Sequence, residues 1–144
     1  MTVVRNATKD DYDRLAEIFL AAFPRAHSIP DECWKGQAYR ARLILPYWPV
    51  LVYEEGGSIE GFISIADKKI TDIFVSPSSQ RRGIGTTLLE RAKELQPTLE
   101  LEVYSHNEGA VSFYSKAGFA IESRFEDSCA SKEVLRMKWS RSDV

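Results

Sequence analysis

Residues 76–86, "SPSSQRRGIGT", combine two arginines, a glutamine and two glycines just ahead of a helical pattern. A helix start carries unpaired N–H groups and a partial positive charge. Gly83 and Gly85 lack side chains, so the backbone there can come close to a guest. The N–H groups around Ile84, Gly85 and Thr86 would point at it, and Arg81 and Arg82 would add charge-assisted hydrogen bonds. That combination suits a phosphate or pyrophosphate. A Walker loop does not fit, because no Gly-Lys-Ser/Thr follows the spacer. A Rossmann fingerprint does not fit either: seven residues separate Val75 from Gly83, and Leu88 stands where a third glycine should be. The plainer alternative is a glycine-rich loop with solvated arginines that only starts a helix. Gln80, the arginine pair and the strand-to-helix setting weigh against it.

A second pattern lies downstream in "LEVYSHNEGAVSFYSKAGF", residues 101–119. Asn107 stands where a helix begins and its side chain can cap. Asn107, Ala110 and Tyr114 then share one face. The small Ala110 leaves room for something to pass, and Tyr114 places a phenol further along.

These elements need a scaffold. The chain has 144 residues, which indicates one domain over 1–144. With 44% hydrophobic and 28% charged residues it reads as an ordinary globular protein. A net charge of −2 excludes a general polyanion binder, so no nucleic-acid partner is expected and any phosphate attraction must be local. The N-terminus is not a signal peptide, and no apolar run is long enough to span a membrane. Cys33 and Cys129 show no metal-ligand spacing and are expected to be reduced thiols in a cytoplasmic protein. No metal is expected.

Along the chain, "TVVRNA" reads as a first strand. Thr8 and Asp11 open a helix that Pro24 should close. A second helix is expected over 31–45. "PVLVYEE" and "IEGFISIA" form a hairpin around "EGGS", and "KKITDIFV" is the next strand. A helix over 85–95, the strand "TLELEVY", a helix over 107–117 stopped by Gly118, and the strands "FAIESRF" and "EVLRMKW" complete the order. The fold class is therefore mixed α/β (α+β), with a largely antiparallel sheet and two helical crossovers near its middle.

At this point the chain resembles the GCN5-related N-acetyltransferases, the GNAT family. The family pattern Gln/Arg-x-x-Gly-x-Gly/Ala matches Gln80 to Gly85, and Asn-x-x-Ala-x-x-Phe/Leu-Tyr-x-x-x-Gly-Phe matches Asn107, Ala110, Phe113, Tyr114, Gly118 and Phe119. The element order agrees over nearly the whole chain. The resemblance implies a central sheet of six to seven strands, flanked by about four helices and splayed between the fourth and fifth strands. It implies acetyl-CoA as cosubstrate, with its pyrophosphate wrapped by Gln80, Arg81, Arg82, Gly83, Ile84, Gly85 and Thr86. The main chain of Ile73, Phe74 and Val75 would pair with the pantetheine arm. Asn107 would hydrogen-bond the cofactor, with Ala110 and Phe113 on the same helix beside it. Tyr114 would be the general acid for the departing thiolate.

For a base, some members carry a glutamate on the strand before the loop, where this chain offers only Asp72. Others carry it in a Leu-Glu-Val segment, here Leu101-Glu102-Val103. Alternation puts Glu100, Glu102 and Tyr104 on one face of that strand, so Glu102 is the candidate base, with a simple solvent-facing glutamate as the alternative. The implied activity is acetyl transfer to a primary amine of a small molecule or a peptide by direct attack in a ternary complex. A non-catalytic acyl-CoA sensor and a small nucleotide-binding regulator are the competing readings. The acceptor should be shaped by residues 24–48, the last hairpin, or both. Trp34, Tyr39, Tyr47 and Trp48 fit core or interface positions better than an aromatic pocket. His27 and His106 read as ordinary histidines, and a homodimer is left open.

Overall fold

In the computed structural model the described residues are 1–27, 49–129 and 131–141, with 23–27 described in backbone only. The predicted helix over 31–45 lies outside them, as do Cys33, Trp34, Tyr39, Tyr47 and Trp48. Strand β1 (Thr2–Asn6) leads through a short 3-10 turn (Lys9–Asp11) into helix α1 (Tyr12–His27). The hairpin strands β2 (Val50–Glu55) and β3 (Ser58–Ala66) and then β4 (Lys69–Val75) follow. Helix α2 (Ile84–Leu95), strand β5 (Thr98–Tyr104), helix α3 (Glu108–Lys116) and the hairpin β6 (Ala120–Asp127) and β7 (Lys132–Ser140) complete the chain.

Local chemistry explains the boundaries. Asp11 accepts the Thr8 N–H at 2.8 Å, which fixes the start expected from the Thr-x-x-Asp spacing. Helix α1 does not stop at Pro24 but runs through it to His27. A proline near a helix end removes one backbone donor, and that alone does not end the helix. Gly56 (φ +58°) and Gly57 (φ +84°) turn the β2–β3 hairpin in the left-handed region. Gly118 (φ +98°) ends α3, with the Phe119 N–H bonded back to the Tyr114 carbonyl at 3.0 Å.

The seven strands form one sheet in the order β1-β2-β3-β4-β5-β7-β6. Every pair is antiparallel except β4 with β5. Alternation along the strands divides the core between two faces. On one face Ile63, Leu99, Leu101, Val103 and Met137 pack with Leu88, Leu89 and Ala92 of α2 and Tyr114 of α3. On the other, Val50, Val52, Ile59 and Phe62 pack with Leu15 and Ile18 of α1. The parallel pair is minimal: β4 meets β5 only at Lys69↔Glu100, with the Glu100 N–H bonded to the Lys68 carbonyl at 2.9 Å. Beyond that point the strands diverge, which is the splay between the fourth and fifth strands.

One expectation is overturned. Cys129, beyond the end of β6, is disulfide-bonded rather than a free thiol. The chain's one other cysteine, Cys33, lies outside the described residues. Two cysteines separated by most of the chain carry no spacing signal from which a disulfide could be read.

Candidate active site

The loop from β4 to α2 is built from its own hydrogen bonds. The Ser76 N–H donates to the Glu60 carbonyl of β3 at 2.8 Å, and a 3-10 turn (Pro77–Ser79) follows. Ser79 is buried, and its hydroxyl donates to the Glu60 carboxylate. Gln80 turns back to donate its side-chain N–H to the Val75 carbonyl at 3.2 Å. Gly83 then takes a left-handed conformation (φ +79°, ψ 10°) at the N-cap of α2. A glycine suits that backbone because a Cβ crowds the neighbouring carbonyl there.

No side chain caps α2. The N–H groups of Ile84, Gly85 and Thr86 find no acceptor among the described residues. Gly85 is partly exposed and Thr86 exposed, while the Ile84 side chain is buried and anchors the helix start. The anchoring depends on Gly61 of β3, where a Cβ would stand 3.0 Å from Ile84 Cγ2 and 3.1 Å from the Phe74 carbonyl oxygen. The result is an open cluster of donors at the positive end of a helix, which fits an anionic group.

The two arginines divide. Arg82 ion-pairs with Glu55 of β2 at 2.5 Å, and a second guanidinium nitrogen lies 3.5 Å from the Ser79 hydroxyl. Arg81 is exposed and adopts φ +67°. The arginine spent on Glu55 is thus part of the loop's support.

The second motif lies beside the first. A Cβ on Gly85 would stand 3.4 Å from Phe113 Cζ, so the start of α2 touches the side of α3. Asn107 caps α3, its Oδ1 accepting the Ala110 N–H at 3.2 Å. Tyr114 is buried between Phe113 and Phe119, ring centroids 5.2 and 5.9 Å away. Burial pushes its phenol well above the ordinary range, so it stays protonated. No described side chain or backbone group hydrogen-bonds its hydroxyl. Ile73, Phe74 and Val75 pair with Ile63, Phe62 and Gly61 of β3 along one edge, and their other edge faces the splay.

Glu102 lies on β5 opposite the buried Leu101 and Val103, as alternation requires. Its carboxylate sits 3.0 Å from Arg136 and 3.5 Å from Lys69. Two contacts were not legible in the motifs. The Tyr104 hydroxyl donates to Asp127 at 2.5 Å, and its ring lies 5.5 Å from that of His106. Burial and the Asp127 bond both push the Tyr104 phenol up. Glu60 ties down the loop from a neighbouring strand. Alternation places Tyr104 on Glu102's face, but its partner depends on the path of the last hairpin. Among the described residues no group of three His, Cys, Asp or Glu side chains could hold a metal ion. None of the described helices is long and apolar enough to cross a membrane.

The structure thus brings together a splayed sheet, an uncapped helix start and a buried phenol on the adjoining helix. The acetyltransferase (GNAT) domain profile matches residues 11–139, and the chain belongs to that family. It is an acetyltransferase with acetyl-CoA as its cosubstrate. It is 32% identical to the peptidyl-lysine N-acetyltransferase YiaC of Escherichia coli, over 83% of this chain and 84% of that one. It is 29% identical to the peptidyl-lysine N-acetyltransferase YjaB of Salmonella typhimurium, over 88% of each. Among solved structures, apo YjaB from Escherichia coli superposes with a TM-score of 0.84 at 24% identity, covering 99% of both chains. The PaiA N-acetyltransferase of Thermoplasma acidophilum, in complex with coenzyme A, gives 0.79 at 20% identity, covering 97% of this chain and 99% of that one.

Proposed function

We propose that this domain moves the acetyl group of acetyl-CoA directly to a primary amine, with the lysine side chain of a peptide or protein as the acceptor class. The observation that carries the reading is the uncapped start of α2 packed against the helix that holds Tyr114. The donors of Ile84, Gly85 and Thr86 would take the pyrophosphate. The outward edge of Ile73–Val75 would accompany the pantetheine arm into the splay. The thioester supplies an activated acetyl group and a thiolate leaving group. Tyr114, kept protonated by burial, donates its proton to that leaving sulfur. A domain that only senses an acyl-CoA needs no phenol at the sulfur.

The amine must be neutral to attack, so a proton leaves it directly or through water. We assign that proton to Glu102, whose carboxylate oxygen lies within ion-pair distance of Arg136 and Lys69. The choice of lysine rests on the names of the two relatives above, whose alignments span most of this chain. The test is a thiol-release assay with acetyl-CoA and three acceptors: a lysine-containing peptide blocked at its N-terminus, the same peptide unblocked but lacking lysine, and free amino acids. Release with the first alone, together with an acetyl mass shift on lysine, supports the assignment. Release only with the second or third moves the acceptor class, and release with none removes the catalytic reading.

A further inference from the structure

We infer that Glu60 is a positioning residue for cofactor binding: it holds the phosphate-facing loop in its binding shape from beneath. The inference rests on the acetyl-CoA reading above and adds a residue that no motif contains. Glu60 lies on β3, separated from the splay by β4 alone, and its side chain is 15% exposed. Its carbonyl accepts the Ser76 N–H at 2.8 Å, where the loop begins. One carboxylate oxygen accepts the Ser79 hydroxyl, where the 3-10 turn ends. Both ends of that turn are therefore tied to a single residue. The other oxygen accepts the Ser58 hydroxyl at 2.8 Å and faces Arg14 at 3.8 Å. The Ser79 hydroxyl in turn lies 3.5 Å from Arg82, which is paired with Glu55.

The arrangement has a physical logic. Three residues separate Ser79 from the left-handed Gly83, and the donors of Ile84, Gly85 and Thr86 follow at once. If Ser79 is free to move, those donors no longer converge. A loop that reaches its binding shape only part of the time binds more weakly by that fraction. Ser76 and Ser79 are both buried, which marks the turn as part of the packed structure. The hydrogen bonds from Ser79 and Ser58 also hold the Glu60 carboxyl below its usual range, so the anchor is charged at neutral pH.

The experiment compares wild type, Glu60→Gln, Ser79→Ala, the double variant and Asp11→Asn. The last cuts the 2.8 Å Arg5–Asp11 pair at the start of α1 and serves as a stability control. Each is melted thermally, titrated with acetyl-CoA by calorimetry and assayed at saturating acceptor. Glu60→Gln and Ser79→Ala should each raise the Kd and KM for acetyl-CoA about tenfold, with kcat within about twofold. The double variant should be no weaker than the worse single, because one link is lost in all three. Asp11→Asn should lower the melting temperature and leave Kd unchanged. If folded Glu60→Gln and Ser79→Ala both bind acetyl-CoA like wild type, or if their effects add, the positioning role is wrong. If wild type itself does not bind acetyl-CoA, the underlying reading falls first and takes this inference with it.

Discussion

Replacing Gly83 by alanine separates backbone strain from loss of the ligand site. Gly83 sits at φ +79°, and a Cβ built on it meets no protein atom within 4 Å. Gly57, in the β2–β3 turn, is equally open at φ +84° and lies outside the site. Each alanine therefore costs only the left-handed penalty, about 1–2 kcal/mol. For a domain of this size that lowers the melting temperature by roughly 3–8 °C. The two variants should melt alike. They should bind differently, because the methyl at Gly83 stands beside the donors of Ile84, Gly85 and Thr86. A hydrogen bond to a charged group contributes about 1.5–3 kcal/mol, so losing two costs at least about 3 kcal/mol. That corresponds to roughly 100-fold in Kd. The assay is calorimetric titration with acetyl-CoA alongside thermal melts of both variants. Gly83→Ala binding within about threefold of Gly57→Ala would refute the argument that this helix start holds the pyrophosphate.

Tyr114→Phe keeps the ring packed between Phe113 and Phe119 and removes only the hydroxyl. It should bind acetyl-CoA normally and turn over about 10²–10⁴-fold more slowly in steady-state kinetics, and a kcat within about twofold of wild type ends the acid assignment. Glu102→Gln should leave acetyl-CoA affinity alone and lower the rate most at low pH, where more of the amine is protonated. Overlaying pH–rate profiles would pass the proton to solvent. The Asp11 and Glu60 carboxyls are both held below their ordinary values of 3.8 and 4.5, chiefly by the Arg5 bond and by the Ser79 bond respectively. Such groups contribute stability that is full above those values and is lost as pH falls through the lower folded ones. The melting temperature should hold from pH 8 to about 5 and then fall on the acid side, and Asp11→Asn should shrink that fall.

Much of the fold is legible in the sequence because its signals are local. Two adjacent glycines give the β2–β3 turn. Alternation from Leu99 to Val103 gives the buried face of β5, and Gly118 gives the end of α3. The site motifs are legible for the same reason: Gly83 and Asn107 each mark a helix start. What escaped depends on partners far away in the chain. Pro24 reads locally as a stop, yet α1 continues past it. Tyr104 meets Asp127 only because the chain returns after α3, and Cys129 gives no local sign of its disulfide. Glu60 has no signature at all, since its task is set by the neighbouring loop from β4.

The same distinction changes how the loop works. In the sequence the arginine pair looks like the anion-binding element, and the glycines look like its hinges. In the structure Arg82 is committed to Glu55, and Glu60 lies beneath the same loop. The site proposed for a doubly charged pyrophosphate would thus be built over two carboxylates. That is tolerable because each carboxylate is answered locally: Glu55 by Arg82, and Glu60 by Ser79, Ser58 and Arg14. With those charges balanced, the field above the loop is left to the exposed Arg81 and to the oriented N–H groups of α2. Such groups cost no reorganisation when the anion arrives, and they act at hydrogen-bond range where salt screens them little. On the proposed reading the motif therefore depends on residues outside it, and the loop would bind an anion because its support has already neutralised itself.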